Sequence, residues 1–468
     1  MTSPALPTPD EAATFRRIGW RLLPLLFTCY IVAYLDRVNV GFAKLQMVGE
    51  LGWSDAVYGF GAGIFFLGYF LFEVPSNLLL MRVGARRWIA RIMITWALVS
   101  ASFAFVDVIP WGPLPALFGV TADVFGFYTL RLLLGMAEAG FFPGIVLYLT
   151  YWFPTDRRGR AYAKFMTAVA VANVLGAPLS GFIMDAFEGV NGWAGWRWLF
   201  VLESAPSLVM GVAVLLWLPD GPAQARWLGE PERTLVLARL AADDAASASA
   251  SASASAPAGR GGHGGLRAAF GSGRVWALAF VYFTLAVALY GVNFWMPTII
   301  QELGLDRTAY LQVGLLSMIP WGIAGASMLW WGQHSDRTGE RRWHVTAALL
   351  CTTAGLAGLA VVGTHVVASL VALSLVAAGV LSSMSTFWAI PTSFLRGSAA
   401  AAGIAWINSI GNLGGHFGPD LIGRVRVATG SSAAAFITLA LLGLAGAVVI
   451  AVVMRPSGTS STAVHGNT

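Results

Sequence analysis

The sequence predicts an all-α membrane protein with twelve transmembrane helices in two pseudo-symmetric six-helix halves. Three observations predict it. Of 468 residues, 57% are hydrophobic and only 11% are charged, less than half the roughly 25% charged share of a soluble domain. Twelve apolar stretches are each long enough to cross a bilayer as a helix of about 20 residues. A low-complexity segment divides these stretches six and six. So little charge cannot cover a water-exposed surface of this size, which excludes a soluble enzyme, a nucleic-acid binder and a disordered chain. The 19 Trp suit a protein with two membrane–water interfaces.

In the first half the apolar stretches run near 20–43, 57–80, 88–107, 124–150, 161–186 and 197–218. In the second they run near 274–298, 309–332, 344–364, 367–393, 400–427 and 433–454. The stretches at 124–150 and 400–427 are rich in Gly and small residues, which in membrane helices signals close packing rather than a break. Between the halves, residues 219–273 carry an alternating Ser/Ala run (245–256) followed by Gly and Pro, the composition of a flexible linker. Residues 1–19 and 456–468 are then terminal segments, around halves at 20–218 and 274–455. The polar N-terminus, acidic at Asp10 and Glu11, lacks the apolar core of a signal peptide and is expected to be retained.

Lys and Arg set the orientation. With the N-terminus inside, the cytoplasmic segments hold Arg16, Arg17, Arg21, Arg82, Arg86, Arg87, Arg91, Arg157, Arg158, Arg160 and Lys164. They also hold Arg226, Arg233, Arg239, Arg260, Arg267, Arg274, Arg337, Arg341, Arg342, Arg396 and Arg455. That is 22 of 29 basic residues, so both termini are expected in the cytoplasm and the net charge of +6 is a topology signal. Cys29 and Cys351 lie far apart in apolar runs, so neither a disulfide framework nor a metal site is expected.

An internal repeat marks one face. Arg337, Gly339, Arg341, Arg342 and Trp343 match Arg82, Gly84, Arg86, Arg87 and Trp88 in register, each set between the second and third stretch of its half. The second copy, with Gly332 and Asp336, reads Gly-x-x-x-Asp-Arg-x-Gly-x-Arg-Arg. This pattern resembles the cytoplasmic signature of the major facilitator superfamily, and the resemblance spans the whole chain. It implies two parallel six-helix halves with a site near the midplane. Asp336 would meet a helix N-terminus or an Arg across the cytoplasmic interface. The first copy has Met81 in place of the acid and Asn77 in place of the glycine.

Charges inside a membrane helix cost about 2.5–3.5 kcal/mol each on insertion scales and mark function. The first stretch holds Asp36 and Arg37, neighbours about 100° apart on a helix. The fourth holds Arg131 and Glu138, two turns apart on one face, about 10 Å along the axis. Arginine grips a carboxylate with a planar fork, and a buried carboxyl can carry a proton near neutral pH. Two acids and two bases in an apolar setting therefore point to proton-coupled anion transport; a structural ion-pair network is the competing reading.

The segments YLDRVNVGFA (34–43), RLLLGMAEAGFFPGIVLYLTYWFP (131–154), GWRWLF (195–200), LPDGPAQARWL (218–228) and INSIGNLGGHFGP (407–419) are similar to the anion:cation symporter family of that superfamily. Its members include proton-coupled transporters for tartrate, phthalate, galactonate and hexuronates. The resemblance implies that Arg37 and Arg131 contact a substrate carboxylate while Asp36 and Glu138 carry protons. It implies a membrane protein of the bacterial inner membrane that imports a small organic anion and is not an enzyme. Protons are the coupling ion and no other cofactor is implied. The partners are that anion and the lipid bilayer, without nucleic acid, and the protein is expected to be a monomer. An exchanger, a uniporter, an exporter and a membrane receptor are the alternatives.

Further candidates for substrate contact are Tyr34 and Tyr69 in the first half and Tyr290, Asn293, Trp388, Asn408 and Asn412 in the second. For each, packing or hydrogen bonding between helices is the competing reading. His416 shares the face of Asn408 and Asn412 and is expected to pack. Glu73 and Glu203 are expected to be structural and Asp420 solvated.

Overall fold

The computed structural model describes residues 10–253, 271–395 and 397–454. Arg260, Arg267, Arg396, Arg455, the C-terminal segment and the end of the Ser/Ala run lie outside them. Among the described residues the chain is helical, without strands. The first half comprises α1 (Glu11–Glu50), α2 (Asp55–Val83), α3 (Ala85–Ser102), α4 (Ala122–Glu138), α5 (Phe141–Thr150), α6 (Thr155–Ala186) and α7 (Gly195–Trp217). The linker contains α8 (Glu230–Ser253). The second half comprises α9 (Gly273–Gln301), α10 (Tyr310–Thr338), α11 (Arg342–Val361), α12 (Val366–Phe387), α13 (Ala389–Phe394), α14 (Gly397–Thr429) and α15 (Ser432–Val453). Eleven spans among the described residues are long and apolar enough to cross a membrane. The 33-residue α14 occupies the remaining place.

Two elements depart from expectation. The fourth span is broken into α4 and α5, where Ala139 turns to an extended conformation and Gly140 takes φ 85°. Pro143 is the cause: it has no N–H to bond the Ala139 carbonyl, and its ring would strike that carbonyl in a continuous helix. The Ser/Ala run also departs from a coil at its start, because α8 continues to Ser253; alanine is the strongest helix former.

The halves meet through α2 against α14 and α6 against α10. Asp10 and Met454, the first and last described residues, and the described part of the linker lie at one end of the bundle (the linker end); Glu50 and Asp55 mark the far end. At the far end Arg426 of α14 bonds Asp55 of α2 at 2.8 Å and Glu302 at 2.6 Å. Lys44 of α1 completes the network 3.0 Å from Asp55, with its ammonium 4.3 Å from the Trp295 ring centre. Asp185 caps α10 through the N–H groups of Tyr310 and Leu311. Beside it Gly181 brings α6 so close to the Tyr310 carbonyl that no side chain fits.

Two of the quoted segments of the first half turn out to be staples. Arg197 of the GWRWLF segment bonds Glu50, Asp107 and the Ala104 carbonyl, tying three segments at the far end. Its guanidinium holds the Asp107 carboxyl below the usual carboxylate range. Of the LPDGP segment, Asp220 accepts from the Arg86 N–H at 2.9 Å at the start of α3, and Trp227 stacks on Trp152.

Candidate functional site

The break after Glu138 sets the site's geometry. α4 ends with the Glu138 carboxylate, 3% exposed, in an ion pair with Arg37 of α1. Gly140 is required here twice over. Its positive φ suits only glycine, and a Cβ would collide with Ser76 Oγ of α2. Gly140→Ala is expected to cost about 1–2 kcal/mol, read as a lower melting temperature in detergent, with uptake reduced in proportion to misplacement of Glu138.

Arg37 is enclosed by aromatic rings. Its guanidinium carbon lies 5.6 Å from the Tyr34 ring centre, 5.4 Å from Phe65 and 5.8 Å from Tyr69. From the second half, the Tyr290 hydroxyl sits 3.5 Å from Nη1. Arg37 Nε is buried without a hydrogen-bond partner. Arg131, two turns before Glu138, is 1% exposed. It donates to the Gly61 and Ala62 carbonyls of α2 at 3.3 and 2.7 Å, and its guanidinium carbon lies 5.1 Å from Phe65 and 5.6 Å from Phe294. Among the described residues Arg131 has no acidic partner within ion-pair distance. Phe65 is thus shared by both guanidiniums, which brings them into one compartment between the halves. The compartment holds two cations and one anion.

Asp36 is elsewhere. It faces the interior of the first half, where Trp96 and Ser100 of α3 and Ser207 of α7 donate to its carboxylate at 2.7, 2.9 and 2.5 Å. The 100° between successive helical residues sends Arg37 to the interface between halves and Asp36 to the α3–α7 packing surface. Glu203 lies on the same interior side, 1% exposed, with Ser180 donating to it at 2.7 Å.

The second-half candidates divide. Tyr290 joins the arginine compartment. Asn293 bonds Asn173 of α6 at 3.3 Å across the interface, and Asn408 bonds Glu73 of α2 at 3.2 Å. Glu73 therefore links the halves. Asn412, one turn further, is half-buried, and among the described residues its side chain makes no hydrogen bond. Trp388 packs on Tyr282 and Phe387 within the second half. His416 packs edge-on against Phe60 and Phe417. Asp420 is buried and paired with Arg424 at 2.8 Å, correcting the expectation of a solvated acid. The far-end network of Lys44, Asp55, Glu302 and Arg426 escaped sequence reasoning because each member sits near a helix end, where charge is ordinary.

The repeated signature closes within each half. Asp336, in the last turn of α10, accepts from Arg341 at 2.6 Å within its own half rather than across the interface, and Glu340 caps α11 through the Trp343 and His344 N–H groups. Gly332 packs near Ser385, Gly339 terminates α10 with φ 67°, Arg337 is exposed, and Arg342 bonds the Ala451 carbonyl of α15. In the first copy Gly84 separates α2 from α3, and Arg82 and Arg87 are exposed. Asp220, from the segment after α7, serves where Met81 has no carboxylate to offer. Among the described residues, the Asn408–Glu73 hydrogen bond joins the halves on the linker side of the far-end network.

The profile of the Major Facilitator Superfamily matches residues 26–419. The chain belongs to the major facilitator superfamily. A superfamily protein of Agrobacterium vitis named "Putative tartrate transporter" is 48% identical over 95% of each chain. A "Quinolone resistance transporter" of Acinetobacter baumannii is 38% identical over 95% of each chain. In fold, the chain is similar to the xylose transporter XylE from E. coli in an inward open conformation, with a TM-score of 0.70 at 13% identity, covering 94% of this chain and 98% of that one. The protein is therefore a multi-pass membrane transporter of this superfamily.

Proposed function

We propose that the protein imports a small organic anion by proton symport with alternating access across a bacterial inner membrane, the linker end being cytoplasmic. The substrate class is a tartrate-like dicarboxylate, a sugar acid or an aromatic carboxylate. The observation that carries this reading is Arg131: a buried guanidinium without a counter-ion among the described residues, beside a second arginine that has one. A carboxylate bound between them neutralises the excess cation and meets a planar fork. The tartrate name of the Agrobacterium vitis relative supports the same class.

Coupling follows from competition. Glu138 and the substrate carboxylate seek the same Arg37. A proton on Glu138 releases Arg37 to the substrate, and substrate departure restores the pair. Asp36 is the second proton carrier, acting through the α1, α3 and α7 packing it holds together. Closing the site around neutralised charge costs less than closing it around bare charge.

The test is uptake of L-tartrate, phthalate and galactonate into proteoliposomes under an imposed pH gradient. An inward proton gradient is expected to drive accumulation of at least one, by about tenfold per pH unit for each coupled proton. Uptake indifferent to the gradient would overturn symport. The Acinetobacter baumannii relative favours a second reading, export. Quinolones also carry a carboxylate, so the direction of gradient-driven flux, not the anion chemistry, separates the two.

A further inference from the structure

A cavity of about 520 Å³ opens at the linker end between α1 and the start of α6. Its apolar wall includes Phe15, Leu23, Phe27, Phe153 and Phe165, and its lining carries Arg16, Arg157, Arg160 and Lys164. Arg157 is engaged, 3.2 Å from Glu11 and over the Phe15 ring. Glu11 also pairs with Arg239. Arg16, Arg160 and Lys164 are exposed, and among the described residues their side chains make no hydrogen bond or ion pair.

The stripe of α1 that lines this cavity runs on toward the arginine compartment. Arg16, Trp20, Leu23, Phe27, Tyr30, Tyr34 and Arg37 recur at spacings of three and four, one stripe of α1. On α6, Ala172 packs with Tyr34, and Lys164 lies eight residues, about 12 Å, nearer the linker end. Phe165 beside it packs against Tyr30 at 4.7 Å. The cations thus form a descending series from Arg37 through Lys164 and Arg160 to Arg16, along one aromatic wall.

We propose that Arg16, Arg160 and Lys164 form a second, shallow binding station for the carboxylate of the transported anion, between the arginine compartment and the linker-side solution. The proposal rests on the organic-anion reading above. Low-dielectric aromatic walls focus the field of the three free cations and raise the local anion concentration. Exposure keeps each contact weak, so the station hands an anion on rather than trapping it. The same cations would suit a lipid phosphate, which is the competing occupant.

The two cysteines permit a direct test. With Cys29→Ser and Cys351→Ser, Trp20→Cys is labelled with a neutral bimane in full-length protein in phosphatidylcholine nanodiscs. Trp20 is 77% exposed, so the label does not disturb packing. Iodide is expected to quench this label more strongly than neutral acrylamide. Changing Arg16, Arg160 and Lys164 together to Gln should lower the iodide constant about threefold or more and leave acrylamide quenching unchanged. Millimolar L-tartrate, phthalate or galactonate should protect the label from iodide. Equal quenching in the wild-type and triple-Gln proteins would overturn the station. Protection by phosphatidylglycerol in the disc but by none of the three carboxylates would assign the site to lipid and overturn it too. Arg131→Gln separates this proposal from the transport reading, since it should lower uptake about 100-fold and leave iodide quenching at position 20 intact.

Discussion

Arg131→Gln is expected to lower carboxylate uptake in proteoliposomes by about 100-fold. The loss is about 3 kcal/mol, the scale of removing one partner from a buried, hydrogen-bonded charge pair. Glutamine keeps a donor for the Ala62 carbonyl, so the α2–α4 contact survives and the melting temperature changes little. Arg131→Lys retains the charge but presents a point instead of a fork. Its uptake falls between wild type and Arg131→Gln, with the loss in substrate affinity. Unchanged affinity in the lysine variant would show that the carboxylate does not dock on Arg131.

Glu138→Gln is expected to remove gradient-driven accumulation while exchange of internal for external substrate continues. Glutamine imitates the protonated acid permanently, so Arg37 stays released to the substrate and the proton step is lost. The sign is specific: wild-type uptake falls as external pH rises and Glu138 recaptures Arg37, whereas the variant becomes insensitive to pH over the same range. Counterflow of labelled substrate at several pH values reads both effects. A variant that still accumulates substrate under a pH gradient would transfer the coupling role to another acid, with Asp36 and its buried neighbour Glu203 next in line.

These two outcomes depend on a distinction that residue spacing does not make. Asp36 and Arg37 are adjacent in the chain, and both are rare charges in an apolar run, so they read as one cluster with Arg131 and Glu138. In the folded protein Arg37 joins Glu138, and Asp36 is surrounded by Trp96, Ser100 and Ser207. Periodicity tells which residues share a face of α1, but neighbours that rotate that face toward one half or the other are distant in sequence. The same holds for Asp220 at the head of α3, supplied 134 residues after Arg86.

The interruption of the fourth span was nearer to legible. Gly140 and Pro143 are both visible signals, but small residues in membrane helices also serve packing, and only the backbone shows that Pro143 wins here. The break places Glu138 at a helix end, free to face Arg37.

The sequence by itself determined the class of molecule: a bilayer-spanning bundle in two halves with one marked end and a few charges retained inside it. Apolar length and basic asymmetry are additive, local quantities, so they survive without coordinates. The tertiary structure decided which of those charges meet. Among the described residues it left Arg131 without an acid, gave Arg37 to Glu138, and enclosed Asp36 inside one half. Pairing depends on the rotation of each helix about its axis, which is set by packing against distant segments rather than by the residues alongside.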